Sequence, residues 1–126
     1  MARDRLTPTV EVRRVYDKRE PSEGDFRALV DRLWPRGISK ASLRLDEWAK
    51  EVAPSTELRR WYGHDPDRFD EFARRYRAEL EQQPASDALA RLVDSAATGT
   101  LVLLTATKDV EHSGAAVLRE FLVEDR

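Results

Sequence analysis

Two stretches of this chain hold side chains that could do chemistry. The first, "LVDRLWPRG", sets Asp31, Arg32, Trp34 and Arg36 at the end of an apolar run. The second, "TATKDVEHSG", sets Thr105, Thr107, Lys108, Asp109, His112 and Ser113 at the end of another. Guanidinium and ammonium groups beside hydroxyls suit a phosphate or a carboxylate, and the free N–H groups of a following helix would add to that attraction. Arg32, Arg36 and Lys108 would hold the charge. Thr105, Thr107 and Ser113 would supply hydroxyls, and Trp34 a wall. Proton transfer, if there is any, would fall to His112 with Asp31 or Asp109.

Each candidate also has a plainer reading. Asp31 with Arg32 or Arg36 makes a sensible ion pair at a strand end. Trp34 and Trp48 suit a core or a pocket wall, Lys108 and Asp109 a surface turn, and Ser55 a helix cap whose hydroxyl is already engaged. The two histidines, His64 and His112, lack the i,i+4 spacing that would converge on a metal, so no metal site is read. With no cysteine there is no disulfide, no thiolate nucleophile and no thiolate ligand. No cofactor fingerprint occurs, so the cofactor stays unknown.

The elements that must position these residues alternate along the chain. "TVEVRRVY" reads as a strand with Val10 and Val12 on one face, and "DKREPSEGD" as a charged loop. "FRALVDRLW" suits an interior strand covered on both sides, with Ala28 and Val30 opposite Leu29 and Leu33, ended by Pro35. Residues 43–53 fit strand and helix equally well. Ser55 can cap a short helix whose Leu58, Trp61 and Tyr62 share a face and whose terminator is Gly63, just before His64.

The clearest signal follows. Asp65 is a good N-cap, Pro66 suits the first helical position, and Phe69, Phe72, Ala73, Tyr76 and Leu80 recur at helical spacing. Asp70 with Arg74 and Glu71 with Arg75 are favourable i,i+4 pairs on the opposite face. Ser86 opens a further helix with Leu89, Leu92, Val93 and Ala96 inward, closed by Gly99. "TLVLL" then reads as a buried parallel strand, and Ala115, Leu118, Phe121 and Leu122 mark a last helix. Strands separated by helices predict one small layered α/β domain over 9–123, with a mostly parallel sheet, flanking helices and a flexible segment at 1–8. In such sheets ligands bind outside the carboxyl ends of the strands, where both loaded stretches would meet.

Composition narrows the partners. The chain has 126 residues, 22 Lys and Arg against 24 Asp and Glu, and a formal charge of -2, so no global field draws it to nucleic acid or anionic lipid. No apolar run approaches the roughly 18 residues of a membrane span, and the N-terminus has no apolar signal core, so the expected location is cytoplasmic. Two readings of function compete. One is a small-molecule or anion-binding pocket. The other is a non-catalytic interaction or oligomerisation module using Trp34, Trp48 and Trp61, with homo-oligomerisation left open. A nucleic-acid binder ranks last.

Several stretches together, "RVYD", "LVDRLWPRG", "LDEWAKEVAPSTELRRWYGH" and "LTATKDVEHSGAAVL", resemble the YeaO-like branch of the domain of unknown function 488 family, from Val12 to Leu122. The resemblance brings no established biochemical function. Broader family members are similar in having a cysteine after the last strand and a Cys-His-Arg cluster at the next helix. Here Thr105 and Ser113-Gly114-Ala115 stand there, which excludes cysteine chemistry. The YeaO-like loop resembles Tyr-Ser-Ala-Lys-Asp followed by His-Asn-His-Ala. This chain keeps Lys108, Asp109, His112 and Ala115, with Ser113 and Gly114 in place of the Asn and second His.

Overall fold

The computed structural model describes residues 8–124, so the predicted flexible segment falls, Pro8 apart, outside the described residues. Four strands form one sheet: β1 (Thr9–Arg14), β2 (Asp25–Leu29), β3 (Glu47–Trp48) and β4 (Thr100–Thr105). Their order is β1-β4-β2-β3, and every pairing is parallel. β4 lies between β1 and β2, with Leu101 opposite both Val10 and Phe26, and its residues Leu101 to Thr105 are all buried. That burial on both faces is why "TLVLL" is continuously apolar rather than alternating.

One face carries the larger core. Val10, Ala28, Val30, Leu101 and Leu103 meet Phe72, Tyr76, Leu92 and Leu118 from three helices, α3 (Phe69–Leu80), α4 (Ala85–Ala96) and α5 (Gly114–Glu124). The opposite face packs Leu29, Val102 and Leu104 against Val15, Leu43, Trp34 and Trp48. Here the cover is mostly loop, helped by a one-turn helix, α1 (Lys40–Leu43), capped by the Ser39 hydroxyl. The buried Arg27 donates from Nε and Nη2 to the carbonyls of Arg44 and Leu43, satisfying acceptors that so short a helix leaves open.

Several sequence expectations need correction. β2 ends at Leu29, well before Pro35, and Leu33 is 61% exposed rather than on a buried face. Val30 N–H still bonds Leu104 O at 3.0 Å, but the Asp31 carboxylate then turns onto the end of β4 and draws the chain out of the ladder. Residues 43–53 divide between the two readings. Glu47–Trp48 add as a parallel strand to β2, and Lys50–Val52 follow as a 3-10 turn.

Ser55 does cap α2 (Thr56–Tyr62): its Oγ accepts from Leu58 N at 3.2 Å and donates to Glu79 Oε2 at 2.6 Å. Gly63 closes that helix at φ +55°. Asp65 caps a 3-10 turn, Pro66–Arg68, that leads into α3. Glu71 bonds Arg75, as expected, and also takes Arg74, which therefore does not pair with Asp70. α4 starts at Ala85 rather than Ser86, and its C-cap is Ala97. Gly99 serves another purpose: a Cβ there would lie 2.1 Å from Gly24 O, where the two chain segments touch to start β2 and β4 in register.

Candidate functional site

Because β1, β2 and β4 are parallel, their carboxyl ends open on the same edge, and Asp31 ties two of them together. Its Oδ1 accepts from Thr105 Oγ1 and its Oδ2 from Ala106 N, both at 2.7 Å, while Thr105 Oγ1 accepts in turn from Thr107 N at 3.1 Å. Burial raises the pKa of the Asp31 carboxyl above the ordinary value, opposed by the Ala106 N–H, the Thr105 hydroxyl and the charge of His64. Asp31 makes no ion pair with Arg32 or Arg36, contrary to the plainer sequence reading. Arg32 instead reaches across to α2's approach, donating from Nε to Pro54 O at 3.1 Å and from Nη2 to Ala53 O at 3.4 Å.

Above this clamp lies a cleft of about 540 Å³. One wall is the segment after β2, with Asp31, Arg32, Trp34 and Arg36, and another is the loop after β4, with Thr107, Lys108 and Asp109. The floor includes the buried side chains of Val30, Tyr62 and Phe72. The two stretches singled out from sequence thus share one concavity. Within it Arg36 and Lys108 are exposed and their side chains are free of hydrogen bonds and ion pairs among the described residues.

Not every predicted residue presents a free group. Thr105 is fully buried beneath the cleft, its hydroxyl spent on Asp31. Ser113 reaches the cleft wall, but its Oγ donates to Val110 O at 2.6 Å and accepts from Ala116 N at 3.1 Å, as a cap of α5. His112 is not on the cleft wall. Its Nδ1 lies 2.8 Å from Asp109 Oδ2 and its ring meets Phe69 edge-on at 5.0 Å, while Tyr62 Oη donates to its carbonyl at 2.6 Å. The imidazole and the Asp31 carboxylate therefore belong to separate networks.

The tryptophans are likewise engaged within the chain. Trp34 Nε1 donates to Ile38 O at 2.7 Å and Trp48 Nε1 to Asp31 O at 2.8 Å, and the two rings pack edge-on at 5.3 Å. Trp61 is covered by the guanidinium groups of Arg75 and Arg68, at 4.4 and 5.2 Å. Among the described residues no group of three or more His, Asp or Glu is placed to hold a metal ion, and no helix is long and apolar enough to cross a membrane.

Sequence reasoning missed Arg59. Within "LRRWYGH" it looks like any helix-surface arginine, yet α2 turns it into the cleft, where its Nε is buried without a hydrogen-bond partner. Only the position of Leu58 and Tyr62 on α2's buried face hints at this, since Arg59 lies next to that face. Tyr16 and His64 also border the cleft, Tyr16 through a loop that donates its hydroxyl to Arg36 O at 3.2 Å.

With that geometry in hand, the relatives of the chain are informative. Residues 9–126 match the model of the inactive DUF488-N3 subclade, and the chain belongs to that family. It is 50% identical over 113 residues to the uncharacterized protein Rv3073c of Mycobacterium tuberculosis, covering 90% of this chain and 92% of that one. The uncharacterized protein YeaO of Escherichia coli is 44% identical over 113 residues, covering 90% and 96%. No solved structure matches significantly.

Proposed function

We propose that this member of the DUF488-N3 family binds a small anion in the cleft where β2 and β4 end, and does so without turning it over. The observation that carries this reading is Arg59. A guanidinium is always charged, and burying one of its N–H groups without a partner costs roughly 1–3 kcal/mol, more because the group is ionic. That N–H is closed off from the cleft, so an oxyanion there would neutralise the guanidinium through its outer edge, which has no partner among the described residues. The side chains of Arg36 and Lys108 line the same space without partners among the described residues, and Thr107 lines it too. Of the two carboxylates on the lining, Asp31 is engaged by Thr105 and Ala106 and Asp109 by His112.

The reading stops short of catalysis for a geometric reason. His112 is not on the cleft wall and its Nδ1 is held by Asp109, and the Thr105 and Ser113 hydroxyls are committed to structural bonds. The description of the subclade as inactive agrees with this. The test is thermal unfolding in phosphate or sulfate against chloride at matched ionic strength. A ligand that binds only the folded chain adds about 2.7 kcal/mol at a hundred times its Kd, a rise of several degrees. Arg59→Gln and Lys108→Ala should abolish the rise. Identical melting temperatures in all three salts would overturn the proposal.

A further inference from the structure

The anion cleft has far more room than an inorganic oxyanion requires, and most of its surface is apolar. From this, resting on the anion reading above, we infer that the ligand is an amphipathic acid: a compact organic phosphate or carboxylate whose flat or branched apolar body lies between Tyr16 and Leu33 and its anionic group beside Arg59.

Three observations converge. The volume, about 540 Å³, lies within the ~300–1,000 Å³ of pockets that enclose whole organic ligands. The floor is Val30, Phe72 and Tyr62, whose hydroxyl is spent on the His112 carbonyl, so it offers little to an oxyanion and favours hydrocarbon. The third is independent of the cleft's shape. Among the described residues only Tyr16, Leu33 and Val123 are large hydrophobic side chains left exposed, and two of the three border this one concavity. Leu33, at 61% exposure, sits on the segment that Asp31 pulls out of the sheet, so its position is imposed by the same clamp that shapes the cleft. Pro35, two residues on, is buried.

Electrostatics assign the two ends. The Arg59 guanidinium sits in the wall with its Nε closed off, so the acid group would meet its outer edge, while Arg36 and Lys108 are exposed and can follow a second charge or none. A neutral apolar molecule would leave Arg59 unsatisfied, and a bare anion would leave Tyr16 and Leu33 in water. A ligand carrying both properties satisfies both walls.

The experiment titrates phenyl phosphate and inorganic phosphate into the purified full chain by calorimetry, at fixed pH and ionic strength. The expected result is phenyl phosphate binding tighter than phosphate by about tenfold or more. Arg59→Gln should remove both, whereas Leu33→Ser should shrink the ratio between them. Equal affinities, both lost in Arg59→Gln, would overturn this inference while leaving the anion reading intact. Absence of binding by either probe would overturn both.

Discussion

If Asp31 is the clasp between the ends of β2 and β4, its removal should be among the costlier single substitutions in the protein. Asp31→Ala strands two groups at once, the Thr105 O–H and the Ala106 N–H, each now 2.7 Å from a carboxylate oxygen. A stranded buried donor costs roughly 1–3 kcal/mol. A hydroxyl can rotate toward another acceptor where a backbone N–H cannot, so the Thr105 loss is the smaller, and the sum is about 2–4 kcal/mol. For a chain of this size that is a fall in Tm of roughly 8–15 °C. Urea unfolding followed by tryptophan fluorescence measures it directly. A cost below about 0.5 kcal/mol, that of an ordinary surface change, would refute the clasp.

The same substitution carries a pH signature. Burial makes the folded protein hold the Asp31 proton more tightly than the unfolded chain, whose carboxyl titrates near 3.8. Above that pH the unfolded state has released a proton that the folded state retains, so stability falls as pH rises. The contribution is fully present below 3.8 and is lost as pH rises through the folded value. The gap between wild type and Asp31→Ala should therefore be widest in acid and narrow toward neutrality. A gap that widens with rising pH would show that the hydrogen bonds, not burial, govern the group.

Three further outcomes are expected. Arg32→Ala should cost about 1–3 kcal/mol by losing charged hydrogen bonds to the Ala53 and Pro54 carbonyls, so a thermal melt must accompany any binding assay of that variant. Gly99→Ala should be severe, about 3 kcal/mol or more, because its Cβ meets the Gly24 backbone, whereas Gly37→Ala, with nothing within 4 Å, should cost only about 1 kcal/mol from its positive φ. Comparing the two denaturation midpoints separates overlap from backbone strain. Ser55→Ala should lose about 1–2 kcal/mol, read by circular dichroism melting, since the hydroxyl both caps α2 and holds Glu79 of α3.

Much of the scaffold is legible in the sequence because its causes are local. Asp65-Pro66 announces α3, Ser55 and Gly63 bracket α2, and the unbroken "TLVLL" marks a strand buried on both faces. From these the layered α/β class follows, and with it the meeting of the "LVDRLWPRG" and "TATKDVEHSG" loops at one end of a parallel sheet. What each side chain does there depends on contacts between distant residues. Asp31 leaves the strand because Thr105, 74 positions later, offers its hydroxyl. Residues 47–48 become a strand because the main chain of β2 is beside them, with Ala49 N donating to Leu29 O at 2.8 Å. Gly99 is required by Gly24 rather than by the helix it follows. Sequence spacing gives Arg59 no distinction from Arg60. Only the docking of α2 decides that one guanidinium is drawn into a wall without a partner while its neighbour stays in water.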